Sequence, residues 1–173
     1  MKRNILTLII AVFALTQAAA QTYDNLWKQA DIIARKDQPR SEIGVMKKII
    51  SKASAAKDYG QLLAAEMRQM ILWKEISADS LTPNVERMEA EVLKVKDPAL
   101  KAVRYAVLGK VYSDMDEKKS QEFFKKALEQ PELLAKHTST EYVPLTLKGV
   151  DGSSFNNDLL HLIGFEADSK EAY

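Results

Sequence analysis

The chain has no cysteine among its 173 residues, and that absence excludes more than any other feature. It rules out a disulfide framework, a thiol nucleophile and every cysteine-ligated metal site. Histidine is scarce as well, at two residues, too few for a metal site that needs three or four converging ligands. No charge of one sign dominates, with 25 Lys and Arg against 24 Asp and Glu, so there is no electrostatic footprint for nucleic acid. Phosphate loops, dinucleotide fingerprints and zinc-protease motifs are missing. Gly152-Ser153-Ser154 is not a nucleophile elbow, because the G-x-S-x-G frame and its flanking strand and helix are absent. Long hydrophobic runs are also lacking. The longest stretch, Ile5 to Leu15, falls well below the roughly 20 residues that cross a bilayer.

What that stretch does have is the layout of an export signal. Met1-Lys2-Arg3-Asn4 is a basic head, Ile5 to Leu15 an apolar core, and Ala18-Ala19-Ala20 a run of small residues suited to signal peptidase. Cleavage is predicted after Ala20, which leaves a mature chain starting at Gln21 in the periplasm or outside the cell. A lipid anchor on a cleaved cysteine is excluded, and no stable membrane span is expected after cleavage. Without Lys2 and Arg3 the mature chain has 23 basic against 24 acidic residues, a formal charge of −1. Its length fits one domain, held together by packing alone.

Helical periodicity dominates the mature chain. Gln21–Lys36 places Tyr23, Leu26, Trp27, Ala30, Ile33 and Ala34 at helical spacing, and Pro39 disfavours helical geometry at Gln38. Ser41 is read as the N-cap of a second helix to about Lys57, with Ile43, Met46, Ile49, Ile50 and Ala53 on one stripe. Asp58 caps a third helix, Tyr59 to about Ile76, whose apolar arc is wide enough to predict burial on more than one side. Ser77–Pro83 reads as a polar loop and Asn84–Lys96 as a fourth helix bearing Val85, Met88, Val92 and Val95. Two further helices follow across Ala102–Pro131. After Pro131 the pattern changes, with Glu132–Lys136 read as one further turn. Residues 138–155 read as an extended segment or small hairpin, since Val143–Leu147 alternates and Gly149–Gly152 is turn chemistry. A last short helix is predicted from Asn157 to about Ile163, capped by Asn156 and ended by Gly164.

The expected fold is therefore mainly all-α, with about three stacked antiparallel helix pairs, a short extended segment and a final short helix. Its divisions are a signal at 1–20, a helical domain at 21–137 and a different C-terminal part at 138–173. The polar end, Ala167–Tyr173, carries no stop signal and reads as a chain that continues. No helix this short is stable alone, and stacking the pairs buries their stripes in one core.

Few residues could carry chemistry, and each has a plainer reading. His161 lies three residues after Asp158, on one helix face, where a local hydrogen bond or partial burial beside Leu160 is expected. His137 sits in a polar connection. Glu86, Glu89 and Glu91 are interleaved with Arg87 and Lys94 on what reads as a solvated, salt-bridged face. Trp27, Trp73, Phe123 and Phe124 read as core rather than a ligand box. No catalytic, cofactor-binding or metal-binding residue is nominated, and the chain is not expected to be an enzyme.

Two resemblances are carried by particular residues. Tyr105, Leu108, Gly109 and Tyr112, followed by Ser120, Phe124, Ala127 and Pro131, resemble the signature of a tetratricopeptide helix pair. Gly109 then marks a close approach of the two helices. QTYDNLWKQAD directly after the signal, the loop KDQPRSEI, the stretch EISADSLTPNVERMEAE and the closing YVPLTLKGVDGSSFNNDLLHLIGFEA carry the second. Over 21–167 the chain resembles the N-terminal segment of the large secreted alpha-2-macroglobulin-like proteins of Bacteroidota-type bacteria. That resemblance implies a non-catalytic helical module whose partner is its own downstream domains or an envelope protein. The family's bait region, thioester and sandwich domains have no counterpart in these residues. The alternative is a free-standing exported adaptor that binds a peptide or envelope protein in a concave groove.

Overall fold

A computed structural model describes residues 22–146 and 157–168. The described chain is all-α, with helices α1 (Tyr23–Ala34), α2 (Pro39–Ala56), α3 (Tyr59–Ile76), α4 (Ala78–Val92), α5 (Pro98–Tyr112), α6 (Glu117–Ala127), the single turn α7 (Pro131–Leu134) and α8 (Leu159–Asp168). A 3-10 turn, Ser139–Tyr142, follows α7. No strand occurs among the described residues, and the one β-bridge joins Thr138 to Asp158.

Short connections make consecutive helices pack side by side and run antiparallel, as α1 with α2, α3 with α4 and α5 with α6. Side-chain caps set several of the starts. Thr22, Asp58, Asp97 and Asp116 each accept a hydrogen bond from the backbone N–H three residues on, which satisfies one donor that the first turn leaves open. The third helix, with its wide apolar arc, is the hub. Its Leu63 packs in a cluster with Leu100, Val103, Phe124 and Leu134, its Ala65 and Leu72 with Ile43, Met46 and Ile49, and its Met70 with Val85, Met88 and Leu108.

Five sequence expectations need correction. Ser41 is not a cap: α2 begins at Pro39, and Gln38 precedes it without a side-chain cap bond. Proline at the first helical position loses nothing there, because that N–H has no intrahelical acceptor. Ser77–Pro83 is not a loop, since only Ser77 separates α3 from α4 and Pro83 lies inside the helix. Helix α4 gives up one backbone bond at Pro83 but buries Leu81 against Met70 and Val85. It stops at Val92 rather than Lys96.

The extended segment is also replaced over its described part. Thr138 and Glu141 form a capping box on the 3-10 turn, and residues 143–146 continue as turns; residues 147–155 lie outside the described set. The alternating pattern of Val143–Leu147 reflects one inward side chain, Leu145, beside an exposed Val143. Finally, α8 runs to Asp168 with Gly164 inside it, and Asp158 accepts from the His161 backbone N–H at 2.9 Å at its start. Ile163 and Ala167 extend its apolar stripe past Gly164, so the helix has no reason to end there.

Residues on both sides of His137 share one core. Tyr142, Leu159 and Ile163 pack with Leu63, Leu100 and Phe124, and α8 lies against α5, α6 and α7.

Candidate interaction face

Two ion pairs with buried carboxylates link the helices; in one of them the arginine is buried as well. Glu42 on α2, 2% exposed, accepts from Arg68 Nε on α3 at 2.7 Å. Glu66 on α3, also 2% exposed, accepts from Arg104 Nη1 on α5 at 3.3 Å. Burial pushes the Glu66 carboxyl up, the Arg104 guanidinium pulls the other way, and Glu91, 3.9 Å from Arg104, adds to the upward push. Among the described residues Arg104 Nε has no hydrogen-bond partner. A buried pair of this kind fixes register rather than adding much stability, since desolvation consumes most of the Coulomb gain.

The Glu66–Arg104 pair and the Lys74–Asp114 contact at 3.0 Å hold α3 and α5 side by side and parallel, with matching turns facing each other. Two adjoining clefts open along them. The first, about 160 Å³, is lined by Met67 of α3, Val103, Ala106 and Val107 of α5, Leu159 and Ile163 of α8, and Leu145. The second, about 300 Å³, is lined by Met67, Met70 and Ile71 of α3, Leu81, Val111 and the Lys74–Asp114 pair. Met67 and Lys110 border both. Lys110 also pairs with Glu166 of α8 at 2.6 Å. The face thus has an apolar floor and a polar rim, the layout common to protein–protein interfaces. Its methionines adapt readily to different side chains.

On the α5–α6 side the helices lock together. A Cβ built on Gly109 would lie 2.8 Å from the Phe124 ring, and Ser120 Oγ donates to the Gly109 carbonyl at 2.8 Å. Phe123 stacks between Tyr105 and Tyr112, at 6.1 and 5.5 Å between ring centroids. Lys126 and Lys119 sit over this ladder. Tyr112 Oη donates to Glu89, which Lys119 also approaches at 3.5 Å.

The residues singled out from sequence fall into these contacts. Phe124 is core; Trp27 and Trp73 are half-buried against the α1–α3 cluster, and Trp27 Nε1 donates to Gln61 at 2.7 Å. Phe123 is half-buried as well, packed against the Met70–Tyr112 cluster while it stacks with Tyr105 and Tyr112. Only Glu86 and Arg87, both exposed, fit the solvated reading of the acidic cluster. Glu89 and Glu91 are half-buried and reach across to α5 and α6. His161 Nδ1 lies 2.8 Å from Asp158, and His137 Nδ1 lies 2.9 Å from Glu141. The His137 contact, with the Thr138 backbone, holds Glu141 below the usual glutamate range. Gly152-Ser153-Ser154 lies outside the described residues.

Sequence reading missed Gly60 and both ion pairs with buried carboxylates. The pairs join residues 26 and 38 positions apart, and no local pattern distinguishes them from surface charges. A Cβ on Gly60 would lie 2.7 Å from the carbonyl carbons of both Tyr142 and Val143, a contact about 80 residues away in sequence. No protein-family model, curated protein or solved structure matches the chain.

Proposed function

We propose that the chain is a non-catalytic protein-interaction module of an exported protein. The observation that carries this reading is the apolar, polar-rimmed double cleft along α3 and α5. Its charged groups are engaged in contacts that tie helices together, which suits a scaffold better than a reaction centre. Export is supported by the basic head, apolar core and small-residue end of residues 1–20. Among the described residues no helix is long and apolar enough to cross a membrane.

The helix pairs are read as tetratricopeptide-like, on the strength of the Tyr105–Pro131 spacing and of the Gly109 seam at its expected place. The parent protein is read as alpha-2-macroglobulin-like, with this module working against its own downstream domains. The gene beyond the Tyr173 codon tests that part: β-rich sequence with a bait region supports it, and a stop codon before an unrelated gene sinks it. The open second cleft favours the other reading, an exported adaptor with a separate peptide partner. Capture from an envelope fraction decides it: a bound protein released by Ile71→Asp supports the adaptor, and binding indifferent to that change counts against it.

A further inference from the structure

One wall of the first cleft, Leu145 and Thr146, comes from the closing segment of the same chain. Residues 142–146 cross the α3–α5 face, with the backbone of Tyr142 and Val143 against Gly60 and the Leu145 side chain packed between the two core clusters. Its polar anchors are local. Thr146 Oγ1 donates to the Ser139 carbonyl, the Ser139 N–H to Asn157, and the Thr138 N–H to Glu141. Its grip on the helices is apolar, through Tyr142 and a half-buried Leu145. The second cleft continues the same face from Met67 and Lys110 onward, unfilled by this segment.

We propose that Tyr142–Thr146 is a resident pseudo-ligand: it covers the place on α3 and α5 that a partner peptide takes in the same turn conformation, with an apolar anchor residue where Leu145 sits. The proposal rests on the interaction-module reading and adds its regulation. A tethered segment competes at an effective concentration in the millimolar range, so a free peptide binds well only once the segment is displaced. The contact at Gly60 is the place to displace it. A Cβ there meets backbone, which cannot rotate away, whereas exchanging glycine for alanine favours helix α3 itself.

The probe is a fluorescein-labelled peptide of Ser139–Thr146, titrated by anisotropy against the exported protein and its Gly60→Ala variant. The variant is expected to bind it at least tenfold more tightly, with faster amide exchange over 142–146. Equal affinity for both proteins, or no binding to a variant that still melts cooperatively, overturns the proposal. Leu145→Ser, which removes the anchor and leaves α3 intact, takes the same test should Gly60→Ala fail to fold. A partner captured by both proteins with equal affinity would overturn the pseudo-ligand and leave the interaction module standing. If Ile71→Asp also leaves that capture unchanged, both readings fall.

Discussion

The helix-pair stack and the closing segment that lies on it are held by opposite means. Within the stack, contacts are stereospecific: two buried carboxylates pair with arginines across α2, α3 and α5, and the α5–α6 seam closes on a glycine, a serine hydroxyl and an aromatic ring. Residues 138–146 instead satisfy their polar groups among themselves and with the start of α8, and meet the helices through apolar side chains and one glycine. The lesson is about specificity. Close packing and buried charge tolerate one arrangement, whereas local hydrogen bonds with an apolar underside can come away as a unit.

The sharpest way to break the comparison is at the buried pair. Arg104→Leu leaves Glu66 charged and alone, which should cost about 3–5 kcal/mol, whereas Glu66→Leu with Arg104→Leu should recover most of it. Sign follows from the raised Glu66 carboxyl. A group raised on folding costs stability above its unfolded value, near 4.5, and nothing well below it. The Arg104→Leu deficit, read from urea midpoints, should therefore shrink as pH falls through that range. A deficit independent of pH would mean that lost packing, not stranded charge, is the cause.

Gly109→Leu comes next. It drives carbon into the Phe124 ring, and overpacking of about 3 kcal/mol would lower the melting temperature by roughly 6–12 °C for a chain of this size. An unchanged melting temperature would sink the close-approach reading of Gly109. Gly60→Ala should cost less in global stability, about 1 kcal/mol, because the clash expels the closing segment while alanine regains helix propensity. A loss equal to that of Gly109→Leu would show the segment to be part of the cooperative core.

The smallest effect concerns pH at the closing segment. Glu141 is lowered chiefly by its hydrogen bond with His137. A carboxylate depressed on folding contributes stability that is fully present above its unfolded value near 4.5 and is lost as pH falls through its folded value. Glu141→Gln should thus speed amide exchange over 139–142 at neutral pH, with the difference from wild type vanishing in acid. A difference that persisted in strong acid would trace to the shape of the side chain.

Much of the stack was legible because its determinants are local. Asp58 as a cap, the wide arc of α3, and the Tyr105–Ala127 spacing each act within a few residues, where cap chemistry and helical period apply directly. Ser77–Pro83 misled because a polar stretch ending in proline reads locally as a loop, while the burial of Leu81 that keeps the helix intact is tertiary. Gly164 misled in the same way: a helix ends at glycine only when its stripe ends there, and Ala167 continues it against the core.

Local sequence specifies the helical period, the Asp58 cap and the α5–α6 glycine seam, since each leaves a pattern within a single helix pair. Only the tertiary structure decided the partners of Glu42, Glu66 and Gly60, because burial and pairing across 26 to about 80 residues leave no trace in local spacing. The clefts beside Met67 belong to that second class: they exist because α3 and α5 lie parallel, and nothing within either helix says so.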